Sequence, residues 1–466
     1  MRGLQQLRGR FRGTLLRPGE EGYDEARRVW NGAVDRRPAL IARCAGADDV
    51  AVAVRFAREQ DLLVSVRGGG HAVAGHAVVD GGLMIDLSAM KAVRVDPGAR
   101  TARAAGGVLL GELDRATQRF GLAAPSGIVS HTGIGGLTLG GGLGHTMRKF
   151  GLTVDNLRSV DLVTAEGEPL HVDAWTEPEL FWGLRGGGGN FGIATAFEYR
   201  LHPVGPMLLC GPVFWPLADA PEVLRVLRDF GPQAPDELGM VLFARLAPPG
   251  PLVPPEHYGR PVLGLTLSWA GDLAEGQRAM APLRQVARPI ADNVRPLPYL
   301  FLQSMVDGGN QHGMHWYWRS QRVPELTDEV IDVVCGLTDT ITSPLSYTAG
   351  FVMGGTAGQV DPDATAVGER GNGFELSIVA GWPPPDPGGD RHTAWVRQGW
   401  TDLRPSSSGV YSHFISDEGA AGVEAAYGER LKRLTALKDR YDPANLFRMN
   451  ANIPPTAILQ PVVRQA

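Results

Sequence analysis

The chain has 466 residues, 43% of them hydrophobic and 20% charged. That is enough apolar matter for two or three packed cores and excludes a disordered or fibrous polypeptide. A net charge of -5 supplies no basic field for nucleic acid, and no run of 18 apolar residues reads as a membrane span.

The three cysteines, Cys44, Cys210 and Cys335, are far apart and form no CxxC pair. They signal neither a zinc site nor a redox dithiol and fit a reducing, cytoplasmic compartment. The first twenty residues carry five arginines and no acid before Glu20, without the apolar stretch of a secretory signal. They read as a helix-prone lead-in, a basic arm or an organellar transit segment. Heavy Arg, Gly and Ala usage suggests a bacterial source.

In chain order, Ala39–Ala42 is a short apolar run. Asp48 and Asp49 are placed to cap a helix carrying Val50, Val52, Val54 and Phe56. Leu62–Val66 reads as a buried strand and Val78–Leu87 as a second strand-rich stretch. Val93–Ala105 alternates like an antiparallel pair, Gly107–Phe120 reads as a helix, and Val160–Val172 as a hairpin turning at Glu166-Gly167. Past His202-Pro203 the texture changes: residues 203–405 hold 25 of the 35 prolines. There the pattern predicts helices over Pro221–Phe230, Leu273–Val286 and Leu326–Thr340, and strands over Val262–Trp269 and Glu375–Trp382. Glu424–Tyr441 reads as one helix stopped by Asp442-Pro443. The expected organisation is an N-terminal domain over residues 1–203, a second, α+β domain over residues 204–405 and a C-terminal segment, residues 406–466, that returns to the first domain.

Glycine is the outlier, 62 residues in all and strongly clustered. Directly after the Leu62–Val66 run stands Arg67-Gly68-Gly69-Gly70-His71-Ala72-Val73-Ala74-Gly75-His76. Successive glycines there make a nest of N–H groups suited to an anion such as a pyrophosphate, with Arg67 adding charge. No Gly-Lys-Ser/Thr follows, and a His sits where a dinucleotide-binding helix would open, so neither common phosphate loop is present. Gly133–Gly144 has seven glycines in twelve residues, useful where backbone lies flat on a planar ligand. Arg185–Gly192 is a third such loop. Three loops within about 130 residues suggest one extended ligand of dinucleotide size.

These runs, RGGGHAVAG, SHTGIGGLTLGGGLGHTMRKFGLTVDNL, ELFWGLRGGGGNFGIAT and YDPANLFRMNANIPP, resemble the FAD-linked oxidases of the berberine bridge enzyme-like group. That group has the fold of vanillyl-alcohol oxidase and p-cresol methylhydroxylase, and the likeness spans roughly residues 30–455. The resemblance implies an α+β fold: a two-part FAD-binding domain plus a substrate domain built on a large antiparallel sheet. His71 would carry the covalent bond to the flavin 8α-methyl. Gly68, Gly69, Gly70, Ala72, Gly75 and His76 surround it. Gly133, Gly135, Gly136, Gly140 and Gly142 would lie by the isoalloxazine and ribityl chain, Gly192 and Ile193 by the adenine half, and Asn450 and Asn452 would close over the flavin. Some relatives add a cysteinyl link at the position of Val129, so a single histidyl link is expected. Leu137 replaces a His that in relatives bonds the ribityl chain. Thr132 stands at the position that gates oxygen, or merely caps its loop.

The resemblance further implies hydride transfer from a small-molecule substrate to the flavin, with O2 as oxidant and hydrogen peroxide as product. Tyr411 is the expected base, provided its phenol is shifted down from a pKa near 10. His413 replaces a family Asn beside it, and Tyr347 is its expected partner. Leu143, His145, Tyr317 and His413 are assigned to the substrate pocket, with plain core packing as the other reading of Tyr317. Glu369, Arg370 and Glu375 read as a salt-bridged surface strand. His312, His315 and His413 lack metal-ligand spacing, as do His71 and His76, so no metal is expected. The substrate expected is a hydroxylated polyketide, aromatic or alkaloid-like metabolite. The alternatives are a carbohydrate oxidase and a flavin-retaining binding protein.

Overall fold

The computed structural model describes residues 3–459. Two small sheets share the first core. Leu40–Arg43, Leu83–Asp86 and Val64–Arg67 run parallel, with Thr14–Leu16 antiparallel at one edge. The helix Ala47–Glu59 crosses between the first and third of these and buries Val50, Ala53, Val54 and Phe56. Its N-terminus is not capped by an aspartate. Gly46 holds the cap position, and the Asp49 carboxylate instead accepts the N–H groups of Arg12, Gly13 and Ala45 at 2.8–2.9 Å. Leu7 and Phe11 join this core, so the arginine-rich lead-in packs through a helix, Leu4–Arg10.

The second sheet is antiparallel, in the order Val93–Asp96, Thr101–Ala105, Ile193–Arg200, Leu157–Val163, Pro169–Asp173. Its last pair is the expected hairpin, closed by Gly167 N–H to the Thr164 carbonyl at 2.9 Å. The stretch over 78–87 forms strand only at Leu83–Asp86, because Asp80-Gly81-Gly82 turns the chain first. Likewise the helix expected from Gly107 starts at Leu110, after a Gly107 N–H bond to the Met90 carbonyl.

The third sheet builds the roof of the site. Its path is Ala291–Asp292, Met207–Pro216, Pro261–Trp269, Leu238–Leu246, Tyr347–Met353, Gly373–Trp382, His315–Val323, with Arg295–Pro298 beside Met207–Pro216. One face is covered by the helices Ala220–Phe230, Leu273–Arg284, Asp328–Asp339 and Gly389–Leu403 through a single large apolar cluster. The other face presents Phe243, Trp318, Tyr347, Ala349, Phe351, Ser377 and Val379 to an interior cavity. The period-two spacing of 347, 349 and 351, and of 377 and 379, is the side-chain alternation of a strand.

The C-terminal helix is broken. Gly428, at φ +49°, separates Gly419–Tyr427 from Arg430–Tyr441, since only glycine enters that backbone region without strain. Tyr427, Leu434 and Leu437 share a core with Leu180, Phe181 and Trp182 of the N-terminal half. Lys438, fully buried, ties Asp442 at 2.7 Å and the carbonyls of Asn190 and Phe447. That anchor fixes the following segment, which carries Asn450.

Candidate active site

One cavity of about 370 Å³ lies between the glycine loops and the large sheet. Its floor is backbone. Gly68, Gly69, Gly70, His71 and Ala72 come from the loop after Val64–Arg67, and Val129, Thr132, Gly133, Gly135, Gly136, Leu137, Gly142 and Leu143 from the second loop. Gly188, Gly189, Gly192 and Ile193 come from the third, and Met449, Asn450 and Ala451 from the C-terminal return. The loops interlock at Gly69 and Gly133: a Cβ on either would lie 2.3 Å from the other's backbone nitrogen. Only glycine at both permits that approach.

The floor suits a flat ligand carrying an anionic linker. A Cβ on Gly136 or Gly189 would meet no protein atom within 4 Å, because both face cavity space. The N–H groups of Gly68 through Ala72 donate to no protein acceptor among the described residues. Asn450 gives its amide to the carbonyls of Gly189 and Phe447, at 3.2 and 3.1 Å, and leaves its Oδ1 without a partner. A buried, unpartnered oxygen such as Asn450 Oδ1 is costly unless a ligand completes it.

His71 stands in the wall with three aromatic neighbours. Trp30 stacks on its ring at 4.3 Å and 17°. His131 Nδ1 lies 3.2 Å from its Nε2, and His312 packs on His131 with centroids 4.8 Å apart. Burial, with His131 and His312 adding to it, holds His71 well below the ordinary imidazole value, so the ring is neutral. His76 also lines the cavity and is pushed down to about 4 by burial and Arg36.

The roof is apolar and aromatic. Among the described residues no Asp, Glu, Lys or Arg side chain lines the cavity. Its polar groups are few: Tyr411, Tyr347, Asn310, Ser377, Ser412 and His413 among them. Tyr411 Oη accepts the Gly142 N–H at 2.6 Å, and Phe414 meets its ring edge-on at 5.0 Å. The phenol is not shifted down as expected, since burial pushes it above the ordinary tyrosine value. Tyr347 donates to Asn310 Oδ1 at 3.1 Å and is pushed up to about 12 by burial. His413 lies against Gly140, whose Cβ would sit 1.9 Å from its Nδ1, and burial draws it down to about 4.

Six expected site residues are not on the cavity wall. Tyr317 points to the helix-covered face of its strand, where its hydroxyl meets Asp417, Arg319 and Arg397 at 2.9–3.1 Å. Its neighbour Trp318 takes the cavity face. His145 is buried beneath the wall with neither ring nitrogen bonded. Arg67 turns its guanidinium to the Ala26 carbonyl instead of into the glycine nest. Gly75 forms a tight turn at φ +72° against Val34, and Gly140 backs onto a small second cavity behind Tyr411. Asn452 is half-buried within the return segment, its Oδ1 shielded from solvent and unpartnered among the described residues.

Glu375 corrects the reading of a surface strand. It is only 3% exposed, in a strand buried along its whole length, and its Oε1 has no partner among the described residues. Its strand neighbour Arg322 donates elsewhere, to the Arg370 carbonyl at 2.8 Å. Burial therefore pushes the Glu375 carboxyl up to about 7 against the pull of Arg322. Arg370, likewise buried, pairs with Asp155 at 2.7 and 2.9 Å, while Glu369 is exposed. The histidine cluster of 71, 131 and 312 and the stacked Trp30 carry no signal in the sequence, because they meet only through tertiary structure. His315 packs on Trp382, remote from His413.

Known proteins share this arrangement. A family model described as an FAD binding domain matches residues 38–173, and one described as berberine and berberine like matches residues 416–454. An FAD-linked oxidoreductase of Dictyostelium discoideum is 32% identical over 95% of each chain. The (R)-6-hydroxynicotine oxidase of Paenarthrobacter nicotinovorans is 31% identical over 96% of this chain and 97% of its own. The crystal structure of 6-hydroxy-D-nicotine oxidase from Arthrobacter nicotinovorans superposes with a TM-score of 0.85 at 30% identity, over 95% of this chain and 98% of that one. No helix among the described residues is long and apolar enough to cross a membrane.

Proposed function

Because the chain belongs to the FAD-linked oxidoreductases of the berberine bridge enzyme-like group, we propose that it is a covalent-flavin oxidase of small hydroxylated ring compounds. The substrate class is an aromatic, polyketide or alkaloid-like metabolite bound in neutral form. One observation carries this reading: the chamber over the glycine floor is walled by Phe243, Trp318, Tyr347, Phe351 and Phe414 and, among the described residues, by no formally charged side chain. Aromatic faces stack on a flat ring, whereas a charged substrate would meet no side-chain counter-ion along that aromatic wall.

A flavin held there would supply the hydride acceptor and the route for electrons to O2, with hydrogen peroxide as the product. The protein's role is to orient and to move protons. His71 would hold the flavin through a single bond, and the aliphatic Val129 offers no second anchor. The nest from Gly68 to Ala72 offers its N–H groups to the phosphates, and Asn450 Oδ1 offers an acceptor to the cofactor. The aromatic roof would hold the substrate ring over the glycine floor, and Tyr411 would take the substrate's proton. The Gly142 N–H, donating to Tyr411 Oη, favours its phenolate form during that transfer.

The test is anaerobic stopped-flow reduction of the bound flavin by a panel of hydroxylated aromatic, polyketide and cyclic amine compounds, with oligosaccharides as the contrasting set. Bleaching by the ring compounds, with peroxide formed on admitting air, supports the reading. Reduction by oligosaccharides alone overturns it in favour of a carbohydrate oxidase.

A further inference from the structure

The aromatic wall of the chamber ends at an arginine. Arg245 follows Phe243 by two residues on the strand Leu238–Leu246, so both side chains leave the same face of the sheet. Tyr347 is its direct partner on the neighbouring strand. We propose that Arg245 is a specificity-determining residue: its guanidinium receives a carboxylate carried on a tail of the substrate, while the neutral ring lies in the chamber. This rests on the oxidase reading and narrows its substrate class to ring compounds with an acidic side chain.

Wall residues surround the cation. Its guanidinium carbon lies over the Tyr347 ring, 5.9 Å from the centroid. Phe243 and Tyr347 line the chamber and Arg245 does not, which puts the charge at the edge of the wall. On its other side is the turn Asp307–Gly309, where a Cβ on Gly309 would lie 3.7 Å from Arg245 Nη1. The residues flanking that turn, Val306 and Asn310, line the chamber as well. A tail leaving the chamber between Tyr347 and the turn therefore meets Arg245 first.

The fork of this arginine is free. Arg245 is half-buried, and its Nε donates to the Leu246 carbonyl at 3.2 Å. Neither Nη1 nor Nη2 has a protein acceptor among the described residues, and no carboxylate pairs with it. Other arginines set in the interior differ. Arg370 pairs with Asp155, and Arg148 gives its two outer nitrogens to the carbonyls of Met353 and Ala234 at 2.7 and 2.8 Å. The one acid of the adjoining turn, Asp307, is already held by the Ser130 N–H and hydroxyl at 2.9 and 2.5 Å. Burial draws the Arg245 pKa below the usual arginine value, and Tyr347 alone pulls against it.

A carboxylate suits this position by shape and by charge. The outer nitrogens of a guanidinium form a planar fork that takes both carboxylate oxygens at once. Partial burial strengthens such a pair over one in open water. A sugar hydroxyl or an amine gains nothing comparable there. The uncharged wall thus selects the ring, and the cation at its edge selects what the ring carries.

The test is calorimetric binding to the full-length protein, purified from riboflavin-fed cells. The probes are para-hydroxybenzoate, para-hydroxyphenylacetate and para-hydroxyphenylpropanoate, each beside its primary amide, so that tail length and charge vary separately. At the tail length that reaches Arg245, wild type should bind the acid about tenfold to a hundredfold more tightly than the amide. Added salt should shrink that preference. Arg245→Gln should bind acid and amide alike, with the amide affinity near that of wild type. Arg245→Lys, which keeps the charge and loses the fork, should keep part of the preference. The ratio of acid to amide is a readout that a packing defect over Tyr347 does not move. A wild type without acid preference at any tail length overturns the proposal, as does a preference that persists in Arg245→Gln. Failure of the oxidase reading shows differently: acid-selective binding lost in Arg245→Gln, with the flavin bleached by none of the ring compounds, upholds the anion site and refutes turnover.

Discussion

Trp30 lies flat on His71, ring centroids 4.3 Å apart and planes 17° from parallel, while its indole N–H reaches the Asn310 carbonyl at 2.7 Å. Residues 30 and 71 belong to the N-terminal half of the chain, and residue 310 to the segment that leads into the roof strand His315–Val323. One fully buried side chain thus joins the glycine floor to the roof at the attachment residue.

Trp30→Ala should therefore cost about 3–5 kcal/mol, the loss typical of deleting a large buried aromatic side chain. Thermal unfolding of the variant should show a clear fall in Tm, and the flavin it retains should be less firmly held. Trp30→Phe keeps a ring but loses the Asn310 bond, and should lose about 1 kcal/mol beyond the smaller packing loss. An unchanged melting temperature in Trp30→Ala would mean that floor and roof are not coupled here.

Tyr411 is the group whose removal should be felt in chemistry more than in folding. Tyr411→Phe keeps the ring against Phe414 and deletes the hydroxyl that meets Gly142. Anaerobic flavin reduction should slow by about 10² to 10⁴, the usual share of a general base. Since burial raises this phenol above its ordinary value, the neutral form dominates at pH 7. The wild-type reduction rate should accordingly keep climbing with pH and reach no plateau below about pH 10. Equal rates for variant and wild type would remove Tyr411 from the base role.

The glycine loops are legible in the sequence because clustered glycine has almost no packing use in a soluble core. All three meet in one cavity. The aromatic roof is legible only to within one residue. Tyr317 and Trp318 are adjacent on a strand, and alternation alone does not say which faces the helices. Glu375 reads as a surface residue from its charge alone, yet its strand is paired on both sides in the sheet and buried along its whole length, so a single acid there is an interior group. His131 and His312 lie 60 and 241 positions beyond His71, and no local pattern links them.

Glu375 also gives the stability a pH dependence with a definite sign. Unfolded, its carboxyl titrates near the ordinary glutamate value of about 4.3; folded, it titrates at about 7. Between those values the folded state holds a proton the unfolded state has lost, so this group's contribution falls as pH rises across that window. The loss is on the order of 3 kcal/mol and is complete somewhat above pH 7. Glu375→Gln, neutral at every pH, should gain on wild type in urea between pH 5 and pH 8, by most of that loss. A stability difference that does not change between the two pH values would show that Glu375 ionises freely in the fold.

Gly69 and Gly136 separate what the floor needs for folding from what it needs for its ligand. A Cβ at Gly69 would stand 2.3 Å from the Gly133 backbone nitrogen, so Gly69→Ala must push two loops apart and should lower the stability of the flavin-free protein. A Cβ at Gly136 would touch nothing within 4 Å and would sit in the helix Ile134–Gly140, where alanine is favoured over glycine by about 1 kcal/mol. Flavin-free Gly136→Ala should melt at or above the wild-type temperature. Yet its new methyl group occupies the surface on which the cofactor is expected to lie, so flavin content after purification should fall. Full flavin occupancy in Gly136→Ala, with only Gly69→Ala impaired, would place the cofactor plane away from that face of the helix.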